Sequence, residues 1–183
     1  MAKFFESIDA ERADFIARAP MFFVATAAVE GRINLSPKGM DSFRVLGPNR
    51  VAWLDVAGSG NETHAHLVAD GRITVMFCAF ENPALILRLY GRAVPVLPQD
   101  EGWAALEPHF ALLPGTRQIF DMVVESVQTA CGWGVPHMHL ERERDTLNKY
   151  NLSQGREARF AKYAVRTHSI DGLPVRTPTR EPR

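Results

Sequence analysis

Residues 50–67 read Arg-Val-Ala-Trp-Leu-Asp-Val-Ala-Gly-Ser-Gly-Asn-Glu-Thr-His-Ala-His-Leu, and this stretch decides the fold. Residues 51–56 predict a short apolar strand, residues 57–60 a glycine-rich turn, and the remainder the first turns of a helix. Asn61 is the candidate N-cap, because its side-chain oxygen can accept a hydrogen bond from an amide two or three residues further on. The first amides of such a helix lie at the positive end of its dipole, so the corner could hold a phosphate. A plain capped surface helix would give the same pattern.

The composition fits one domain and excludes several classes of function. A chain of 183 residues, 46% hydrophobic and 23% charged, can bury a sizeable core. Lys plus Arg and Asp plus Glu both number 21, so no basic field indicates nucleic acid or an anionic membrane as a partner. No apolar run approaches the roughly 20 residues that span a bilayer, and no signal peptide is evident. With only two cysteines, these features predict a cytoplasmic protein.

Before the opening stretch, the chain predicts a helix and a hairpin. The helix covers residues 9–19. Residues 21–29 predict a buried strand, and residues 30–31 a tight turn into a second strand in which apolar and polar residues alternate. In that second strand Ile33 and Leu35 are expected to face the core. Its polar residues are expected to face solvent or a ligand: Arg32, Asn34 and Ser36.

After the opening stretch, the pattern is again dominated by strands. Further strands are predicted at residues 43–46, 72–80, 85–96 and 119–129. Gly91 indicates a bulge in one of them. Helix-favouring segments cover residues 100–107 and 141–166, the second interrupted near Gly155. This succession favours an antiparallel barrel or sandwich with peripheral helices over a doubly wound parallel sheet. Residues 1–174 are predicted to form a single domain, and residues 175–183 a flexible tail.

A phosphate at the corner would need a cation as well as amides, because a phosphate monoester carries close to two negative charges near neutral pH. Lys38 follows the predicted second strand, and a hairpin barrel could bring that end beside the turn at residues 57–60. Ser36 and Thr63 could add hydroxyl donors. The alternative for Lys38 is a solvated loop lysine.

Three other motifs are weaker. Residues 58–63 begin like a dinucleotide-binding fingerprint, but Thr63 replaces the third glycine and the preceding chain is hairpins instead of a parallel crossover. Cys131 with His137 and His139 could bind a metal, yet no further ligand has suitable spacing, so surface histidines are favoured and no metal is expected. The glycines around Trp133 indicate a backbone that passes close to something flat, or a turn around a buried Trp.

Eight segments, in their order and spacing, resemble the pyridoxamine 5′-phosphate oxidase-like superfamily of FMN-binding split barrels, and more narrowly its uncharacterised oxidase-related branch. Together they cover most of residues 21–174. They are Phe-Val-Ala-Thr-Ala (23–27), Gly-Arg-Ile-Asn-Leu-Ser-Pro-Lys-Gly (31–39), Trp-Leu-Asp (53–55), Gly-Asn-Glu-Thr-His-Ala-His-Leu (60–67), Gly-Arg-Ile-Thr-Val-Met-Phe (71–77), Arg-Leu-Tyr-Gly (88–91), Cys-Gly-Trp-Gly-Val-Pro (131–136) and Ser-Ile-Asp-Gly-Leu-Pro (169–174).

The resemblance implies a mainly β fold with peripheral helices: a six-stranded antiparallel split barrel that forms a homodimer, with FMN at the dimer interface. Lys38 and the amides of residues 62–64 are expected to hold the FMN phosphate, and Trp133 to cover the flavin. The full set of expected cofactor-binding residues is Asn34, Ser36, Lys38, Asn61, Glu62, Thr63, His64 and Trp133.

Three functions fit these expectations. The first is a flavin-dependent oxidoreductase that acts on a small molecule, although no general acid or base can be named. The second is a non-catalytic binder of FMN, haem or another flat cofactor. The third is a structural dimer with a decayed cofactor site. It rests on Glu62, whose charge would repel a phosphate, and on Ile86, where relatives often have a glutamine that touches the flavin.

Overall fold

The computed structural model describes residues 2–182, which form one antiparallel sheet with helices around it. The strands are β1 (Lys3–Phe5), β2 (Phe22–Thr26), β3 (Asn34–Lys38), β4 (Phe43–Gly47), β5 (Arg50–Val56), β6 (Arg72–Cys78), β7 (Ile86–Val96) and β8 (Thr116–Ala130). The α-helices are α1 (Ala10–Arg18), α2 (Glu62–Ala69), α3 (Trp103–Leu106) and α4 (Thr146–Val165).

The long strand β8 is the centre of the sheet, whose order is β3-β2-β6-β7-β8-β5-β4. One edge of β8 pairs with β7 from Ile119 to Ala130, and the other edge is shared by β5 and β1. Within residues 2–182 no backbone pairing joins β3 to β4, so the barrel is split there. This confirms the predicted antiparallel split barrel with peripheral helices. The sheet has eight strands where the resemblance implied six, and β1 had no signal in the sequence.

Aromatic side chains close the barrel where the backbone does not. Phe43 of β4 packs edge-on against Phe22 of β2, with ring centroids 4.9 Å apart, and against Phe77 of β6 at 5.1 Å. Trp53 of β5 packs against Phe120 of β8 at 5.1 Å. Aromatic pairs of this kind contribute about 0.5–1.5 kcal/mol each beyond burial. Side-chain packing therefore holds the two ends of the split sheet against one core.

Gly91 marks the bulge that the sequence predicted. The register between β7 and β8 shifts between Tyr90 and Gly91. A Cβ atom at position 91 would lie 2.0 Å from the carbonyl oxygen of Val123, which no side chain can tolerate. Glycine is therefore needed here for close approach of the two backbones.

The faces of β3 are the reverse of the prediction. The alternation is present, but Leu35 is 64% exposed and Ile33 is 79% exposed, so their assignment to the core is wrong. The reason is that β3 is an edge strand whose inner face covers a polar corner instead of the apolar core. The predicted tight turn is also wrong, because β2 ends at Thr26 and β3 begins at Asn34 across a longer loop.

The peripheral segments largely follow their sequence signals. Asp9 caps α1 by accepting a hydrogen bond from the Arg12 amide at 3.0 Å, and α4 is kinked at Gly155, where φ is 68°. In the described part of the chain, no helix has the length and apolar character needed to cross a bilayer. The C-terminal segment lies along the chain after β7, where Gln99 Nε2 donates to the Thr177 carbonyl at 3.0 Å. The flexibility of residues 175–183 stays a prediction.

Candidate functional site

The corner between β5 and α2 is built differently from a simple capped helix. Asn61 is the N-cap residue by position, since its carbonyl accepts the first helical hydrogen bond from Ala65 at 3.2 Å. Its side chain makes no capping bond, so the predicted role of its oxygen is wrong. That oxygen, Oδ1, accepts instead from Gln118 Nε2 of β8 at 2.8 Å. The first amides of α2, which have no partners inside the helix, are thus left without this cap.

A buried carboxylate lies directly behind the corner. Asp55 of β5 accepts from Arg117 at 2.6 and 2.9 Å and from Gln118 Nε2 at 2.8 Å, all at Oδ2. Its other oxygen lies 3.5 Å from the Nζ atom of Lys38. Two cationic side chains therefore share one carboxylate.

The charge state of this cluster follows from the pKa of Asp55. Burial alone would raise that pKa, but the charges of Arg117 and then Lys38, with hydrogen bonds from Gln118 and Arg117, together outweigh burial and hold the pKa below its ordinary value. Asp55 is therefore ionised at neutral pH. One negative and two positive charges leave a net positive charge beside the N-terminus of α2.

The inner face of β3 brings three predicted residues to the same corner. Asn34, Ser36 and Lys38 alternate with exposed neighbours along the strand. Asn34 Nδ2 donates to Thr63 Oγ1 of α2 at 3.1 Å, and Ser36 Oγ donates to Asn34 Oδ1 at 3.3 Å. The structure thus gathers Asn34, Ser36, Lys38, Asn61 and Thr63 around the start of α2.

His64 is at the corner, but its side chain is engaged in the interior. Its Nδ1 atom donates to Gln118 Oε1 at 2.6 Å, and its Nε2 atom accepts from the Arg176 amide at 3.0 Å. Burial lowers the pKa of His64, aided by the charges of Arg117 and Arg176, so the ring is neutral. Both ring nitrogens of His64 are therefore bonded within the protein, and the residue is fully buried. Within residues 2–182, no group of three or more His, Cys, Asp or Glu side chains is arranged to hold a metal ion.

Two expected site residues lie in other surroundings. The Glu62 carboxylate accepts from the Ile170 amide at 3.1 Å, so the C-terminal segment holds it. Trp133 is 85% exposed on the loop after β8. Arg117 and Gln118 lie at the start of the 15-residue strand β8, and Trp133 follows its end. Within one copy of the chain, the length of β8 therefore separates Trp133 from the corner.

Sequence reasoning missed Asp55, Arg117 and Gln118 as members of the site. Asp55 is the one charged residue inside the apolar strand of residues 51–56, and buried charges are almost always paired. That signal could have prompted a search for a partner. Arg117 could not be chosen from many arginines, because the pairing of β5 with β8 brings together residues far apart in sequence.

Replacing Arg117 with Gln is expected to lower the free energy of unfolding by about 3–5 kcal/mol at neutral pH, since it leaves Asp55 buried with less compensation. In the natural protein the folded pKa of Asp55 is below the unfolded value. Its contribution to stability is therefore complete above about pH 4 and is lost as the pH falls. In the variant burial dominates and raises the pKa, so stability should decrease as the pH rises from about 4 to about 7. Urea unfolding across this range measures both effects.

Arg50→Gln is the matched control. Arg50 pairs with Asp121 at 2.9 Å across the same two strands, but both side chains are more exposed. Exposed pairs contribute about 0–1 kcal/mol, so this variant should be nearly as stable as the natural protein. If Arg117→Gln and Arg50→Gln lower the free energy of unfolding equally, the role assigned to the buried cluster is contradicted.

Known proteins match this chain at the level of sequence. Residues 8–131 match the family model described as pyridoxamine 5′-phosphate oxidase. The chain is 35% identical over 193 residues to the pyridoxamine 5′-phosphate oxidase family protein ustO of Aspergillus flavus, an alignment that covers 95% of this chain and 78% of that protein.

Solved structures share the fold. HupZ of Group A Streptococcus superimposes with a TM-score of 0.54 and 19% identity, over 67% of this chain and 99% of that one. A second solved structure is a protein from Clostridium acetobutylicum related to general stress protein 26 of Bacillus subtilis and described as pyridoxinephosphate oxidase family. It superimposes with a TM-score of 0.52 and 13% identity, over 75% of this chain and 94% of that one. The family match spans α1 to the end of β8, and the identity to the fungal relative extends along nearly the whole chain. The chain therefore belongs to the pyridoxamine 5′-phosphate oxidase family.

Proposed function

We propose that this protein binds FMN by its phosphate at the corner between β5 and α2, and that it is a flavin-dependent oxidoreductase acting on a small molecule. The observation that carries the proposal is the net positive cluster of Lys38, Asp55 and Arg117 beside the uncapped start of α2. Cations and free helix amides together are a common way to bind a phosphate.

The roles of the two cations differ. Arg117 makes two hydrogen bonds to Asp55 of normal length, whereas Lys38 lies at 3.5 Å, which is a long contact. Arg117 therefore fixes the carboxylate, and the ammonium group of Lys38 is the cation free to turn toward a phosphate. Ser36 on β3 and Thr63 on α2 carry hydroxyl groups on the two elements that meet at this corner. This donor set fits the phosphate of FMN.

The competing functions make different use of the same residues. A bound FMN supplies a ring that accepts and donates hydride, and the chain's own residues bind and orient it. A non-catalytic binder of FMN, haem or another flat cofactor would need only the binding part. The hypothesis of a decayed site rests on Ile86 and on the charge of Glu62. The hydrogen bond of Glu62 to the Ile170 amide favours an intact site, because that carboxylate already has a donor.

Purified protein is expected to show flavin absorbance or to quench the fluorescence of added FMN. Lys38→Gln should weaken FMN binding about tenfold or more, because it removes a charge-assisted hydrogen bond. Fluorescence titration measures the dissociation constant. Lys3→Gln, on the exposed strand β1, is the control and should bind as the natural protein does. Unchanged fluorescence with the natural protein, or equal affinity for Lys38→Gln, would refute this phosphate site.

Anaerobic addition of NADH or NADPH to the FMN-loaded protein is expected to bleach the flavin colour, since an oxidoreductase must pass hydride between cofactor and reductant. Free FMN at the same concentration is the control for direct reduction. Stopped-flow absorbance gives the rate. Colour that persists as in the control would favour the non-catalytic binder.

We also propose that the protein is a homodimer that uses the outer face of β3. Leu35 on the edge strand β3 and Ile33 just before it are exposed apolar residues, and β3 has only one neighbour in the sheet. Edge strands with exposed apolar residues are usually covered. A second copy of this chain is the occupant that the family resemblance implies, and the second copy could bring its Trp133 to the site.

Analytical ultracentrifugation is expected to give twice the 20.4 kDa mass of one chain. Leu35→Lys should shift the measured mass toward that of a single chain, because a charge would then be buried in the contact between the two copies. Leu152→Lys, on an exposed face of α4, is the matched control. A single-chain mass for the natural protein, or no effect of Leu35→Lys, would refute the proposed contact.

A further inference from the structure

A cavity of about 460 Å³ lies between the glycine-rich corner and α4. We name it the α4 cavity. Its barrel side consists of residues 57–62 and Arg117, and the rest is formed by α4 and the C-terminal segment. Residues of α4 lie beyond residue 131, where the family match ends. No residue of β3 lines the cavity, whereas Asn61, Glu62 and Arg117 border both the cavity and the proposed phosphate site.

The kink at Gly155 folds the two halves of α4 around this space. Each half presents one helical face, with spacing i, i+3, i+4 and i+7. The first half contributes Leu147, Tyr150, Asn151 and Gln154, and the second half, with its C-cap residue, contributes Arg159, Lys162, Tyr163 and Arg166. Gly155 has φ 68° and ψ 167°, a conformation that favours glycine. The kink is therefore what turns one amphipathic segment into two walls.

The lining is strongly cationic. Lys162 and Arg166 form no salt bridge with any residue in the range 2–182. Lys162 Nζ donates to the Tyr150 hydroxyl at 2.7 Å, and Arg166 donates to the Gly58 carbonyl at 2.7 Å, so neither charge is neutralised by these bonds. The one acidic lining residue, Glu62, is bonded to the Ile170 amide. The cavity thus has an excess of positive charge.

A buried donor without an acceptor belongs to a residue that lines the same cavity. Asn151 is 2% exposed and lines the cavity, and its Nδ2 atom has no hydrogen-bond partner among the described residues. The side chain is fixed by close packing on Gly115, where a Cβ atom would lie 2.4 Å from Asn151 Cγ. An unsatisfied buried amide is rare and costs stability unless something accepts its hydrogen bond.

We infer that the α4 cavity binds a small molecule that carries a phosphate or carboxylate group. Oxygen atoms of such a group would accept from the Asn151 amide and compensate the charges of Lys162 and Arg166. Tyr150, Tyr163 and Leu147 provide apolar and aromatic surface for the remainder of the molecule. The volume lies within the range of about 300–1,000 Å³ found for small-molecule sites. This inference does not depend on flavin binding.

Competitive acetylation tests the site, because mass spectrometry gives the acetylation rates of Lys162, Lys149 and Lys38 in one sample. Inorganic phosphate and benzoate are the probes, each added up to about 50 mM. Lys162 should be protected in a saturable manner by at least one probe. Lys149, exposed on the same helix and outside the cavity, should react at an unchanged rate. Protection by phosphate alone or by benzoate alone identifies which anion the cavity accepts.

Lys38 separates this inference from the proposed function. If phosphate protects Lys38 but neither probe protects Lys162, the α4 cavity is refuted and the flavin site is supported. Protection of Lys162 without Lys38 supports the cavity whatever the outcome for flavin. Lack of protection of Lys162 by both probes refutes the cavity as an anion site.

Arg166→Gln provides a second measurement. It should raise the probe concentration that half-protects Lys162 by about tenfold, because one charge-assisted hydrogen bond is lost. Arg156→Gln is the matched control, since Arg156 lies on the same half of α4 over the ring of Phe160 and outside the lining. Equal half-protecting concentrations for the two variants would refute the role of Arg166. Thermal unfolding of both variants verifies that each is folded.

Discussion

The structure around the site depends on one constraint, the need to compensate the buried charge of Asp55. A carboxylate in the interior persists as an anion only when cations and hydrogen-bond donors surround it. Asp55, on β5, obtains them from two strands that are not its neighbours in sequence: β8 supplies Arg117 and Gln118, and β3 supplies Lys38. One carboxylate therefore links the edge strand β3, which is paired to β2, with the two strands β5 and β8.

The same constraint extends to the helix and the C-terminal segment through Gln118. Its amide nitrogen bonds Asp55 and Asn61, and its amide oxygen bonds His64. His64 then accepts the Arg176 amide, which attaches the C-terminal segment to the barrel. Because Gln118 engages the side chain of Asn61, that side chain does not cap the helix, and the first amides of α2 receive no hydrogen bond from it.

The glycine-rich corner borders two polar regions that are formed by different parts of the chain. On one side it meets β3, within the part of the chain that matches the family, and on the other it meets α4, beyond that match. Arg117 contributes to both, because it holds Asp55 and donates to the Gly60 carbonyl at 3.0 Å beside the cavity. The loop at residues 57–62 therefore lies between the polar face of β3 and the lining of the α4 cavity, with Lys38 on the first side and Lys162 on the second.

The sequence by itself determined the elements whose causes are local. Alternation and helical periodicity indicated nearly all strands and helices, and Gly91 and Gly155 marked a bulge and a kink because their backbone requirements are properties of single residues. Local alternation also grouped Asn34 and Ser36 on one face of β3. Only the tertiary structure decided which face points inward. An edge strand over a polar corner buries its polar side, and the partners of Asp55 come from strands joined by long-range pairing that no local pattern encodes.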